Sequence, residues 1–383
     1  MGKTFHGYID RDTVVIEDSG ESSTIFNRSE TGYFVKGRLR LSMVEAFYLM
    51  NENKLELDVT KKEFLKRALS APDFQTRYMV YRELRKRGFL IRDDDFMYIR
   101  RGGEQKEKGE MRVLSFDEKN VFDFSEIYDM ADDSDLFRRY HADASKEQQD
   151  GRIRENSKNP RKKNASGTFD ESIGGEDISE IPAKKRSPLI FAIVDGDGDV
   201  TYYSIKRHFP KGPHNADITG RYGALLMDDM GIMLEDYDEL HSLFYGKKMG
   251  DALYLSTLEC IYLIKKGALS LTEDGREVSP EELMERSREK DPEMDSKLTI
   301  YSDLMDRGLI VRTGFKYGTH FRVYVRDVEQ HAKYLAHAVS KDYKGTWPEI
   351  SRGVRLAHGV KKEFILAEAS KEPRYLRIKR VRL

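Results

Sequence analysis

The chain repeats itself, and no other feature restricts its fold as much. Residues 39–49 read LRLSMVEAFYL, and residues 253–263 read LYLSTLECIYL. In each, a serine (Ser42, Ser256) stands three positions before a glutamate (Glu45, Glu259), the capping box that starts a helix. A second pair, YRELRKRGFLIR at 81–92 and YSDLMDRGLIVR at 301–312, reads as a helix ended by glycine and followed by an apolar strand. The offsets are 214 and 220, so a six-residue insertion separates the two matches, placed around Asp274–Ser279. Two collinear matches in one order mark a duplicated unit.

At 383 residues the chain has room for about two to four domains. It has no run of 18 apolar residues, and the opening MGKTFHGYIDRDTVV lacks an apolar signal core, so no membrane partner and a cytoplasmic location are expected. The lone Cys260 excludes an internal disulfide and a cysteine-ligated zinc site. The net charge of −1 conceals an asymmetry: residues 301–383 hold 18 Lys+Arg against 9 Asp+Glu, a surplus of +9. A basic end on a neutral chain points to an anionic partner, nucleic acid first.

The repeats imply an α+β tandem: each has a small N-terminal α/β domain followed by a C-terminal α+β domain with a mixed sheet and flanking helices. The expected units are 1–100, 101–212, 213–312 and 313–383. Within the second unit, residues 145–187 contain almost no large apolar side chains and read as a flexible insertion. Order returns at LIFAIVDGDGDVTYYSI (189–205), two apolar strands around a Gly/Asp turn. A calcium reading of Asp195, Asp197 and Asp199 fails on spacing, because the sixth and twelfth loop positions are Val200 and Lys206.

Chemistry concentrates in 313–383. Alternation in HFRVYVR (320–326) places Phe321, Val323 and Val325 on one face and Arg322, Tyr324 and Arg326 on the other, facing solvent. A phenol set among cations suits proton transfer. His331 precedes the strand YLAHAV, and imidazole is the side chain best matched to donate a proton near neutrality. In GTWPEISRGVRLAHGVKKEFILAEA (345–369), Ile350, Val354 and Ala357 form a buried helical stripe; Arg355, His358 and Lys362 fall on another face if the helix runs that far. Tyr, His, Lys and Arg without clustered carboxylates point to phosphodiester chemistry with no metal and no cofactor. RNA supplies its own nucleophile, the 2′-hydroxyl, so a base, an acid and a fixed positive charge suffice. The rival readings are a non-catalytic RNA-binding or structural subunit and a metal-dependent nuclease.

GFKYGTHFRVY, then His331, then GVRLAHGVKKEFILA resembles the catalytic domain of archaeal tRNA-splicing endonucleases. FAIVDGDGDVTYY resembles that domain's acidic hairpin, and the LSxxEAxYL and LRxRGxxxR stretches resemble its N-terminal domain. The resemblance implies Tyr324 as general base, His331 as general acid and Lys362 as the cation on the phosphorane. It implies Arg355 and Arg377 as an RNA-binding clamp on an extruded base, with Arg374 and Arg380 as neighbouring alternatives to the second arginine. It also implies precursor tRNA with a bulge–helix–bulge as substrate, and a homodimer in which Asp195, Asp197 and Asp199 of one copy dock on the other. The first repeat departs from the pattern. Ser187 stands where Lys362 should, and the residue seven after Tyr98, the nearest candidate for Tyr324, is Gln105. The first repeat therefore reads as inert.

Overall fold

The computed structural model describes residues 4–71, 73–93, 96–101, 111–131, 189–214, 217–326 and 331–383. The stretch 145–187, Gln105 and Ser187 lie outside the described residues. The first repeat opens with β1 (Phe5–Asp10), β2 (Thr13–Ile16), α1 (Ser19–Ser29), β3 (Tyr33–Val35), β4 (Arg38–Ser42), α2 (Met43–Asn51), β5 (Leu55–Leu57), α3 (Lys61–Ala68) and α4 (Phe74–Lys86). It continues through β6 (Phe89–Asp93), β7 (Met97–Arg101), β8 (Met111–Asp117), β9 (Val121–Asp123), α5 (Phe124–Met130), β10 (Leu189–Val194) and β11 (Val200–Arg207). The second repeat opens with β12 (Tyr222–Met227), β13 (Met230–Met233), α6 (Asp238–Ser242), β14 (Lys247–Met249), β15 (Ala252–Ser256), α7 (Thr257–Lys265), β16 (Leu269–Glu273), β17 (Arg276–Glu277), α8 (Pro280–Lys290) and α9 (Met294–Asp306). It ends with β18 (Ile310–Thr313), a 3-10 turn (Phe315–Tyr317), β19 (Phe321–Tyr324), β20 (Tyr334–Ser340), β21 (Lys344–Thr346), α10 (Trp347–Gly359), β22 (Glu363–Ala369) and β23 (Arg374–Val381). No helix among the described residues is long and apolar enough to cross a membrane.

The capping boxes act as the sequence indicates. Ser42 and Ser256 each accept from the amide three residues on, while Glu45 and Glu259 return to the cap backbone. The two small sheets share one order, β3-β4-β2-β1-β5 and β14-β15-β13-β12-β16, and the second adds β17 at its edge. That added strand is the insertion: β16 and β17 turn at Asp274 and Gly275, both at positive φ (48° and 78°).

Among the described residues, ten strands form one sheet in the order β18-β19-β20-β22-β23-β11-β10-β8-β7-β6. The order is the same read from either end. The two halves meet at antiparallel β11 and β23, paired from Tyr202↔Val381 to Arg207↔Leu376. Each half holds one parallel pair, β8/β10 or β20/β22, with α5 or α10 between its strands in the chain. The architecture is thus the expected mixed α+β tandem. β6, β7 and β18 belong to this large sheet rather than to the small ones.

The seam is sealed by an apolar layer that draws on both repeats. Trp347, 1 % exposed, lies 5.1 Å from the Phe122 ring and 6.1 Å from that of Phe191. The linker after β11 is pinned to the end of α9: the amides of Gly212 and His214 donate to Arg307 O and Gly308 O at 3.0 Å. Gly308 has φ +74°, and a Cβ there would meet Gly212 O at 2.6 Å, so this crossing requires glycine twice over.

Candidate active site

Strand register brings the three expected catalytic residues to one end of three adjacent strands. Val323 pairs with Tyr334 and Tyr334 with Glu363. Tyr324 therefore ends β19 beside the start of β20, and Lys362 immediately precedes β22. His331 lies three residues before β20. Backbone bonds fasten this corner: Lys333 N donates to Val323 O (3.0 Å) and Glu363 N to Lys333 O (3.1 Å). Adjacent strands lie about 4.8 Å apart.

Lys362 is positioned by the way α10 stops. The helix ends at Gly359, so Lys362 does not extend its face with Arg355 and His358 as the uninterrupted spacing would have it. Lys361 takes the left-handed conformation (φ 55°) and turns the chain, while Lys362 N donates to Ala357 O at 2.9 Å. Gly353 lets the helix sit close on β22, since a Cβ there would meet the Phe364 ring at 2.7 Å. The Lys362 ammonium lies 5.8 Å from the centre of the Tyr317 ring. The Arg322 guanidinium lies 6.0 Å from the rings of both Tyr317 and Tyr324. A ladder Lys362–Tyr317–Arg322–Tyr324 thus alternates cations and aromatic faces. Sequence reading assigned Tyr317 no part in it; the signal was the aromatic in G-F-K-Y-G, next to a left-handed Gly318 (φ 62°) that closes the 3-10 turn.

Tyr324 is 7 % exposed, not solvent-facing as strand alternation suggests. It does point away from Phe321 and Val323, but it packs on Ile310 and Ala332, with Phe244 alongside. Its remaining surface opens into a cavity of about 780 Å³ between the small domain of the second repeat and β18–β19. His331 is exposed and has no hydrogen bond or ion pair among the described residues.

The arginines separate. Arg355 is exposed on α10, whose Trp347, Ile350, Val354 and Ala357 are buried. Arg377 lies between Leu376 and Ile378, which pack under α10, so it points to the opposite face with Ile365 and Tyr375. There Arg377 Nη1 stands 3.3 Å from Glu363 Oε2, and Lys379 pairs with the same carboxylate. Burial opposes the Glu363 charge, yet Lys379 and Arg377 hold its pKa below the usual carboxylate value. Arg374 is committed elsewhere, bonded through Nε and Nη2 to the fully buried Glu368 at 2.7 and 2.9 Å. Arg380 is exposed.

The same register corrects the comparison between repeats. Leu90 pairs with Arg100, and Ile310 pairs with Tyr324. Leu90 and Ile310 each follow a helix-ending glycine by two residues, so Arg100 occupies the place of Tyr324, and Tyr98 that of Arg322. Arg100 is paired with Glu30. A third difference lies in the strand connection. Asp93↔Met97 leaves three residues between β6 and β7, whereas Thr313↔Phe321 leaves seven between β18 and β19.

The acidic turn is built on Asp195, whose Oδ1 accepts the amides of Asp197 (3.0 Å) and Asp199 (2.9 Å). All three carboxylates are exposed. One group of metal-type ligands occurs among the described residues: Glu293, His320 and His337. His320 Nδ1 accepts the Ala338 amide at 3.1 Å, so its proton sits on Nε2, 3.3 Å from Glu293 Oε2. That nitrogen therefore offers no lone pair to a metal, and the group reads as a hydrogen-bonded brace.

Comparison with known proteins covers both kinds of domain. A sequence model described as tRNA intron endonuclease, catalytic C-terminal domain, matches residues 294–375. The corresponding N-terminal domain model matches twice, at 5–68 and 223–284. A tRNA-splicing endonuclease of Methanosarcina mazei is 29% identical over 379 residues, covering 92% of this chain and 93% of that protein. One from Thermococcus onnurineus is 39% identical over 124 residues, 32% of this chain and 72% of its own length. A third, from Methanopyrus kandleri, is 36% identical over 155 residues, 39% of this chain and 87% of its own. With both domain types present in the order the repeats dictate, the chain belongs to the tRNA intron endonuclease family.

Proposed function

We propose that this chain is the endonuclease that excises introns from precursor tRNA, cutting at bulge–helix–bulge sites by metal-independent transesterification. Tyr324 takes the proton of the 2′-hydroxyl at the splice site. The 2′-oxygen attacks the adjacent phosphorus, and the bond from phosphorus to the 5′-oxygen breaks. His331 gives its proton to that departing oxygen, and Lys362 balances the extra negative charge of the phosphorane. The products are a 2′,3′-cyclic phosphate and a 5′-hydroxyl. The observation that supports this reading is the strand register, which sets Tyr324, His331 and Lys362 in or next to the same end of β19, β20 and β22. Arg355 and Arg377 would contact an extruded base; because they face opposite sides of the large sheet, a clamp on one base needs Arg377 to leave Glu363 and swing round the strand end.

The working form is a homodimer in the cytoplasm; the sequence divisions at 100/101 and 312/313 cut β7 and β18, so its units divide before β6 and before β18. The turn Asp195–Asp199 of one copy docks against the small-domain wall of the other's cavity, across from Phe315, Arg322 and Tyr324, which are left to the RNA. The wall contributed by β14, α8 and α9 carries Lys247, Lys290 and Lys297. Lys290 and Lys297 already face Asp229 and Asp291, whereas Lys247 has no carboxylate partner among the described residues. Charge complementarity favours this occupant. A dimer holds two triads, one for each splice site.

The test is cleavage of an intron-containing tRNA transcript in excess EDTA, with analysis of the ends. Cleavage should persist and leave cyclic phosphate and 5′-hydroxyl termini. Lys362→Ala and His331→Ala should lower single-turnover rates by roughly 10²- to 10⁴-fold with RNA binding retained. Loss of cleavage on chelation would refute the mechanism.

A further inference from the structure

Phe315 is the most exposed large apolar side chain of the described residues, at 86 %. No packing role accounts for it. Yet the turn that holds it is rigidly built. Phe315 N donates to Thr313 Oγ1, Gly314 N to His320 O (2.8 Å), and the buried Thr319 closes back on Gly314. A Cβ on Gly314 would meet Thr319 Oγ1 at 2.5 Å, so the crossing is tight as well as ordered. One exposed phenylalanine needs no explanation by itself; what singles this one out is its place on a hydrogen-bonded turn.

Three observations say what covers the ring. First, the turn belongs to one repeat only. Seven residues join β18 to β19, against three between β6 and β7, and the aromatic of the short connection, Phe96, is buried at 6 %. The added four residues therefore go with the repeat that has tyrosine, histidine and lysine at one corner. Second, Phe315 lines the same cavity as Tyr324 and Arg322, and Tyr317, two residues on, touches Lys362 and Arg322. Third, cations stand on or beside the turn: Lys316 within it, and Arg322 and Lys362 against the Tyr317 ring. An exposed ring among cations, next to a site for phosphate chemistry, matches the way proteins hold unstacked RNA, with a base on the ring and the backbone on the cations.

We infer that Phe315 is a substrate-stacking residue: its ring takes the face of an unpaired base next to the scissile phosphate and so sets the 2′-hydroxyl before Tyr324. This rests on the reading of the chain as an RNA endonuclease and adds to it a contact distinct from the arginine clamp. Stacking is tolerant of base identity, because every base has a π-face. The residue therefore serves position more than sequence choice.

The experiment uses the full chain and an intron-containing precursor tRNA with 2′-deoxyribose at both splice sites, which binds but cannot be cut. Phe315→Ala should weaken binding about tenfold, within the range for loss of one base–aromatic stack. Phe315→Trp and Phe315→Tyr should restore it, and Phe315→Leu, equally apolar but not planar, should not. With cleavable RNA, Phe315→Ala should raise KM more than it lowers kcat. In Phe315→Trp, RNA should quench a tryptophan emission that is absent from the parent, whose only tryptophan, Trp347, is buried. Equal binding by Ala, or full rescue by Leu, overturns the inference. A shift of Phe315→Ala to monomer in sedimentation also overturns it, assigning the ring to a second copy. Because these titrations read binding, they stand apart from the chemical test: Lys362→Ala that still cleaves would remove the mechanism and leave stacking in place.

Discussion

Two buried acids with the same local sequence part ways because of one neighbour each. Glu45 and Glu259 both cap a helix and both accept a glycine amide across the small domain, from Gly32 and Gly246. Beside Glu259 stands Arg312, 3.2 Å away. Beside Glu45 stands Asp93, itself bonded to Ser42 Oγ and to Arg77. Burial first and Asp93 second push the Glu45 pKa up to about 8, and burial raises Asp93 as well. An acid whose folded pKa lies above its unfolded value stabilises in its protonated form. Its contribution is present below about pH 4.5 and is lost as pH rises toward 8. The second repeat has the opposite sensitivity. His320 and His337 stack 4.1 Å apart; burial, then the charge of His337, depresses His320 to about 4, and burial, with Lys297 adding to it, lowers His337. Groups of that kind withdraw stability as pH falls from about 6.5 toward 4. Hydrogen exchange across pH 5 to 8 should therefore move in opposite directions in the two repeats. Peptides from α2 and β6 should lose protection on the alkaline side, and peptides from β19 and β20 on the acid side. A parallel response in both would mean that neither cluster governs its repeat. None of this was legible in the sequence, where the two LSxxE motifs look equivalent. What differs is Asp93 against Thr313, far along the chain.

At the scale of elements, the sequence exposed whatever local pattern governs. The capped helices, the glycine stops, the strand–turn–strand of 189–205 and the buried stripe of α10 all follow from neighbours in the chain. Register did not. Tyr98 is the nearest tyrosine in the first repeat, yet pairing assigns the position of Tyr324 to Arg100. The basic end of the chain pointed to an anionic partner, but composition does not show that β23 is an interior strand with three of its cations on Glu363 and Glu368. The acidic turn is the converse case, since its sequence already states its shape. Asp195 closes the turn through its own Oδ1, a role asparagine can also fill. Replacing Asp195, Asp197 and Asp199 together with Asn should thus keep the turn while removing its charge. Sedimentation should show a dimer weakened at least about tenfold, with cleavage falling at protein concentrations where the dimer dissociates. A triple variant that sediments and cleaves like the parent would remove the docking proposal.

The whole molecule depends on a seam that no local pattern announces. Edge strands left unpaired invite association with other chains. Here the two halves use up one such edge each, β11 on β23, and a second crossing pairs β9 with β21 from Lys344↔Asp123 to Thr346↔Val121. Both crossings run beneath one aromatic layer. Trp347 starts α10, the helix whose far end sets Lys362, and it rests on Phe122 and Phe191 of the first repeat. The first repeat thus holds the helix from which Lys362 emerges. Trp347→Ala should cost about 3–5 kcal/mol, the usual range for deleting a buried large aromatic. The loss should appear in both repeats at once, as a single transition at lower denaturant with parallel loss of exchange protection in β10 and β22. A partial rescue by Trp347→Phe, which keeps ring contact with Phe122, would fit. If β10 keeps its parental protection while β22 frays, the repeats are separate folding units, and the first supports the second by proximity alone.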